Sequence, residues 1–283
     1  MKYWLLLAFA VLIKTSCPAQ KRNNKQKEKA KPVLTAAAVY SNDVNYYGQA
    51  AEQRLPYMFV YTNVKLPNGV FAYADAYKLL NIGTGGSAGD LGVGFQYEMT
   101  KKITGSIDYS HSFYPQNSPV LQAANTNFIS NSFDFDWGKF NTGFTADYAF
   151  GVENDVFLSV ANSKAFNLGS LIEDTDYLSF EPAFTLIAGT QRFYKTYYKT
   201  VVNKPGKGGK KNGGKKETTT TVENKVKAKR FDMLSYNFKL PVSYNKPHYT
   251  IEAAYELAIL GSNVEAISRR PNSFFNLSVY YSF

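Results

Sequence analysis

The chain has 283 residues and a formal net charge of +10, with Tyr 22 and Phe 21 against Trp 2. That length suits one large domain or two small ones, and a mean hydropathy of −0.30 excludes a bundle of membrane-spanning helices. It leaves open a β-barrel, which spreads its apolar residues over alternate positions and uses Tyr and Phe freely.

Residues 1–19 have a secretory signal pattern: Lys2, an apolar run from Trp4 to Ile13, then Lys14 and small residues. The apolar run is far shorter than the roughly 20 residues of a spanning helix. Cleavage after Ala19 would remove Cys17, leaving no cysteine for disulfide or thiol chemistry. The rival is a lipoprotein anchored through Cys17, which Lys14 fits poorly. Residues 20–32 form a basic arm, with Lys21, Arg22, Lys25, Lys27, Lys29 and Lys31 against Glu28. Such a run cannot bury apolar surface and is expected to be disordered.

From residue 33 onward alternating runs replace any helical period. Val33–Tyr40 is a weak first strand. Tyr57–Val64 and Val70–Tyr77 flank Leu66-Pro67-Asn68-Gly69, a hairpin signal because Asn-Gly tolerates positive φ. Leu91, Val93, Phe95 and Tyr97 alternate with Gly92, Gly94, Gln96 and Glu98. After Thr100–Lys102, Ile103, Ile107, Tyr109 and Phe113 alternate with polar residues. Residues 114–127 are expected to form a loop. Phe133, Phe135 and Trp137 alternate with Asp134 and Asp136, and the phase changes near Gly138, as at a bulge or short turn. Residues 151–155 are expected to turn into Val156, Leu158 and Val160. Leu178, Phe180, Phe184 and Leu186 make the next stripe, with a turn expected at Gly189-Thr190. Phe193–Val202 carries aromatics on both faces. Residues 204–224 are expected to form a Lys/Gly-rich loop with Lys204, Lys207, Lys210, Lys211, Lys215 and Lys216. Leu234, Tyr236, Phe238, Leu240 and Val242 follow, then Tyr249 to Ile259 after a turn at 245–247.

The last strand places Phe275, Leu277, Val279, Tyr281 and Phe283 on one face, with Asn276, Ser278 and Ser282 on the other. This stripe, ending on a terminal Phe, resembles the closing strand of outer-membrane β-barrel proteins of Gram-negative bacteria. The resemblance implies that these five residues serve as a terminal insertion signal for the barrel-insertion machinery. It also implies an antiparallel up-and-down transmembrane barrel over 33–283, and the runs sum to about twelve strands, each near the length a tilted membrane strand needs. A closed barrel leaves no sheet edge in hydrocarbon. The structural rival is a soluble β-sandwich.

With the last strand running inward, the turns at 100–102, 151–155, 189–190 and 245–247 are expected on the periplasmic side. The loops at 114–127, 167–175, 204–224 and 261–272 are then expected outside, with both termini periplasmic.

Without the signal's two lysines, the arm's six bases and one acid, and the loop's six lysines, the net charge of the remainder is −3. The basic balance therefore belongs to two segments, and nucleic acid is not the expected partner. Opposite the apolar stripes stand Glu98, Asp108, Asp147, Glu181, Glu252 and Glu256, against Lys239. They are expected to line the lumen and to favour cations, or to pair with bases such as Arg192 and Lys195 and fill it. The loop lysines would meet anionic surface glycan or lipopolysaccharide phosphate.

Catalysis is not expected. Alternation puts His111 on the opposite face from Ser110 and Ser112, and His248 falls in a turn at the inner side. Asp134 and Asp136 share a face and could hold a cation, but a lumen-facing pair is the plainer account. There is no phosphate-binding loop, nucleophile elbow or paired Cys/His metal set, so no cofactor is expected. The expected function is a passive channel or porin for small, cationic solutes. The alternative is a structural or surface-interaction barrel with a plugged lumen and working loops.

Overall fold

The computed structural model describes residues 31–50, 54–81, 87–113, 125–151, 154–173, 175–203, 218–262, 264 and 271–283, with the backbone alone over 191–203 and 218–229. The signal, Cys17, residues 20–30 of the arm and the six loop lysines lie outside the described residues.

Fourteen strand segments follow one another: β1 (Val33–Ser41), β2 (Tyr57–Lys65), β3 (Val70–Leu79), β4 (Ser87–Thr100), β5 (Ile103–Phe113), β6 (Asn125–Asp136), β7 (Asn141–Gly151), β8 (Asn154–Ser163), β9 (Phe166–Gly169), β10 (Tyr177–Phe180), β11 (Ala183–Asn203), β12 (Thr218–Asn245), β13 (Tyr249–Leu260) and β14 (Asn272–Ser282). Sequential neighbours pair antiparallel from β1 to β8, β8 pairs with β11, and β11 to β14 continue the series. The ring closes where β1 meets β14, from Thr35↔Ser282 to Ser41↔Asn276. The short β9 and β10 prolong β8 and β11 past small breaks, and β10 also pairs with the end of β12. The result is a closed antiparallel barrel of twelve strands.

The alternation of the sequence decides which side is which. Phe275, Leu277, Val279, Tyr281 and Phe283 all point outward and are exposed, as are Leu91, Val93, Phe95, Phe238, Leu240, Val242, Ile251 and Ile259. The positions between them turn inward. Closure satisfies every strand edge around the ring, as a sheet in an apolar surrounding requires.

The inner face is not uniformly polar. On β2 and β3 the aromatics face in: Tyr57 and Tyr77 are buried, whereas Met58 and Val60 are exposed. Tyr73 lies against its register partner Gly92, where an added Cβ would fall 2.1 Å from the ring. The glycine in β4 is therefore the space that the ring occupies.

The two rims differ. One carries both ends of the barrel chain, the turns 66–69, 101–102, 137–140 and 246–248, and the hairpin end between β9 and β10. The Leu66–Gly69 turn closes through Gly69 N to Leu66 O at 3.0 Å, with Gly69 at φ 93°. The other rim receives the connections after β1, β3, β5, β7, β11 and β13.

Four expectations require correction. Gly189-Thr190 is not a turn: β11 runs straight through it, paired with Asp232 and Phe231. Residues 137–140 are the short turn that the phase change near Gly138 allowed, with Gly138 at φ 82°. Leaving that turn out of the side assignment while counting one at 189–190 inverts every connection between them. Hence 151–155 lies at the rim opposite the other short turns, and 167–175 lies at the rim of 101–102 and 246–248. The two errors cancel outside that span. Residues 218–224 belong to β12 rather than to a loop. Finally, Leu234 is not on the outward stripe. A register irregularity between Ile187 and Ala188 places it inside, 1% exposed, because a bulge leaves an extra residue that shifts the pleat.

Beyond the point where β8 and β13 end, β11 and β12 continue as a two-stranded ribbon from Thr190↔Phe231 to Asn203↔Thr218. At about 3.3 Å per residue it stands roughly 45 Å above its neighbours.

Candidate functional site

The interior holds a wall of carboxylates, each tied by hydrogen bonds. On the β3–β8 side Asp75 and Asp90 are direct register partners, and Asp90 N donates to Asp75 Oδ1 at 3.2 Å. Tyr73 donates its hydroxyl to Asp108 Oδ2 at 2.9 Å. Ser130 donates to Asp147 Oδ1, and Asn125 Nδ2 to Asp155 Oδ2 at 2.6 Å. On the β12–β13 side Lys239 Nζ lies 3.1 Å from Glu252 Oε1, whose other oxygen accepts from Ser243 Oγ at 3.2 Å. Asn237 Nδ2 donates to Glu256 Oε1 at 2.9 Å. Buried carboxylates persist when they are hydrogen-bonded or paired in this way.

Of the six carboxylates named from the sequence, Asp108, Asp147, Glu252 and Glu256 sit within the barrel. Glu98 is exposed near the turn at 101–102, and Glu181, which accepts from Ser163 Oγ at 2.8 Å, sits between β10 and β11. Those two therefore belong to the short-turn rim. Lys239 is inside and bound to Glu252. The side chains of Arg192 and Lys195 are outside the description. Sequence reasoning missed Asp75, Asp90 and Asp155. The signal for Asp75 was available, since it shares a phase with Tyr73 and Tyr77, but those aromatics give their phase the look of an outward stripe.

The two histidines stand apart from this wall. His111 Nδ1 lies 2.9 Å from Asn127 Oδ1 and its ring packs edge-on to Phe113, an exposed residue. Ser112, by contrast, is buried. His248 Nδ1 is 3.2 Å from Ser282 O at the short-turn rim. Among the described residues no group of three or more His, Cys, Asp or Glu could hold a metal ion.

One part of the site had no counterpart in the sequence reading. The chain leaving β1 turns into the barrel over residues 42–50. Asp43 Oδ1 accepts from Val44 N and Leu55 N, both at 2.9 Å. Burial pushes the Asp43 carboxyl up, against those two backbone bonds that pull it down. Tyr46 and Gln49 exchange backbone hydrogen bonds of 2.8 and 2.9 Å around Tyr47 and Gly48. Both central residues have positive φ, 49° and 87°, as in a type I′ turn.

The Tyr47 ring stacks on Phe157 at 4.0 Å and its hydroxyl donates to Asp147 Oδ2 at 3.1 Å. Burial first, then the Asp147 carboxylate, raises the Tyr47 hydroxyl well above its ordinary value, so it remains a donor. Asn45 Nδ2 donates to Glu256 Oε1 at 2.8 Å, Ser235 Oγ to Tyr47 O at 2.8 Å, and Asn272 Nδ2 to Gly48 O at 2.9 Å. Two apolar clusters flank the segment. Val44 packs with Tyr57, Tyr77 and Leu79, and Tyr46 and Tyr47 pack with Phe157, Ile187 and Leu234.

At the short-turn rim a separate polar knot forms. Asp176 accepts from the backbone N–H groups of Leu171, Ile172 and Glu173 and from the Tyr244 hydroxyl. Burial pulls this carboxyl up, but the backbone donors of Leu171 and Glu173, then Tyr244 and Ile172, outweigh it and hold it well below the usual carboxylate range. Lys246 Nζ lies 3.2 Å from Glu173 Oε2, and that bond raises the Lys246 ammonium.

No protein-family model matches the chain, and no curated protein does. Among solved structures the chain is similar to the KdgM porin, with a TM-score of 0.49 and 7% identity over 88% of this chain and 99% of that one. It is similar to the NanC porin at a TM-score of 0.44 and 9% identity, over 88% and 98% of the two chains. LpxR from Salmonella typhimurium gives 0.43 and 8% identity, over 88% and 99%.

Proposed function

We propose that the chain is an outer-membrane channel that passes small, cationic solutes. The observation that supports this reading is the closed ring itself. Its outward face carries contiguous apolar residues that suit lipid, and its inner face carries hydrogen-bonded carboxylates with Lys239 as the main opposing base. Carboxylates lining a pore favour cations. In this reading the signal segment is removed, the short-turn rim and both termini face the periplasm, and the terminal stripe from Phe275 to Phe283 is recognised by the barrel-insertion machinery.

Reconstitution in planar bilayers tests it. Steady conductance steps are expected, with a reversal potential under a salt gradient on the cation side. Glu252→Gln with Glu256→Gln is expected to move that potential toward zero. A detergent-free periplasmic protein, or an anion-selective pore, would overturn the proposal.

The ribbon of β11 and β12 favours a second reading, a barrel whose projecting hairpin and lysine-rich loop bind anionic surface glycan or lipopolysaccharide. Its signature would be binding of acidic polysaccharide that is lost when 190–231 is replaced by a short turn.

A further inference from the structure

The segment 42–50 is anchored where a connection between neighbouring strands has no need to be. Ser41 and Tyr57 are direct register partners, so a few residues would join β1 to β2. Instead the chain reaches Asp147 on β7 and Phe157 on β8. In the ring order β7 is the sixth strand from β1 in either direction, directly across the bore. Further bonds go to Ser235 on β12, Glu256 on β13 and Asn272 on β14.

The tip is built for this contact. Tyr47 is the one residue other than glycine with positive φ among the described residues, and such a conformation persists only where its surroundings hold it. A Cβ on Gly48 would lie 2.3 Å from Ser235 Oγ, so the tip has no room for a side chain against the β12 wall.

We propose that residues 42–50 form a constriction strap across the bore, and that Tyr47, with the strap's anchors Asp147 (holding Tyr47) and Glu256 (holding Asn45), sets the size and charge of the narrowest passage. This rests on the channel reading and adds to it the location of the selective point. Two of the interior carboxylates that would attract a cation are the same groups that hold the strap. A permeating cation and the strap therefore compete for Asp147 and Glu256, and strap release widens the path.

The experiment compares the wild-type full chain in planar bilayers with two variants. In the first, 42–56 is replaced by a short Asn-Gly turn; in the second, Tyr47→Ala keeps the length but removes the ring and hydroxyl. Heat-modifiable migration on gels establishes that each barrel is folded. Excision is expected to raise single-channel conductance by roughly two-fold or more and to weaken cation preference. Tyr47→Ala is expected to produce switching between two conductance levels. A silent wild type with a conducting excision variant supports the strap as a full plug. A conducting wild type matched by both variants in conductance, noise and selectivity overturns the strap and leaves the channel standing. Silence in all three overturns both. Should the excised barrel not fold, Tyr47→Ala decides alone: behaviour identical to a conducting wild type overturns the strap.

Discussion

The barrel's two rims solve different problems with the same strands. At the short-turn rim each described connection stays local. Leu66–Gly69 closes on itself and bonds to neighbouring β4, and the described residues of 170–176 gather around Asp176 and bond to Tyr244 and Lys246 at the end of β12. At the opposite rim the chain leaves the wall, inward as the 42–50 strap and outward as the β11–β12 ribbon. A strand edge needs only a neighbour, so a rim made of turns is fixed by local chemistry. The tip of the strap is fixed by residues a hundred or more positions away, none of them needed to join β1 to β2.

The sharpest way to break that contrast is Phe157→Ala. It removes a ring 2% exposed that stacks on Tyr47 and joins the cluster of Ile187 and Leu234. A loss of about 3–5 kcal/mol is expected at this site, read as lost hydrogen-exchange protection of Gly48 and Gln49 while Gly69 stays protected. Gly48→Ala is expected to cost about 1–3 kcal/mol, since the new methyl meets Ser235 and the residue must hold positive φ. Its readout is the same exchange. Tyr47→Phe keeps the stack and removes only the bond to Asp147, about 1 kcal/mol, so the strap should loosen slightly and conductance noise should rise.

The smallest expected effect tests the other rim. Asp176 has a folded value held below its unfolded one, so its contribution is fully present above about pH 4 and fades only as pH falls through the depressed value. Amides of Leu171 and Glu173 should therefore keep their protection, relative to intrinsic rates, at pH 3.5. Asp176→Asn should remove it.

Most of the barrel could be seen in the sequence because a strand with one apolar face alternates strictly, as Phe275 to Phe283 do. The limits were local. Gly189 and Gly138 carry the same sequence signal, yet one continues a strand, where its missing side chain makes room for Phe157 and Leu234, and the other turns. On β2 and β3 the large aromatics face inward, so their alternation was visible but its direction was not. The interior carboxylates Asp108, Asp147, Glu252 and Glu256 followed from alternation with the final strand as anchor. The strap could not be found that way: Asn45, Tyr46, Tyr47 and Gly48 form an ordinary turn in sequence, and only contacts with Asp147, Ser235 and Glu256 give it a place.

The seam between β1 and β14 has a consequence for assembly. Thr35 meets Ser282, and Phe283 N donates to Leu34 O at 3.0 Å, so the cylinder is sealed by the two extremities of the barrel chain. The strap hangs directly from the first of these, and its partners lie up to 224 positions away, at Asn272 on β14. Contacts that distant form late, after the intervening chain has been ordered. The bond from Asn272 to Gly48 therefore completes the strap's seat only when the last strand arrives, so closing the seam and fixing the strap share one step.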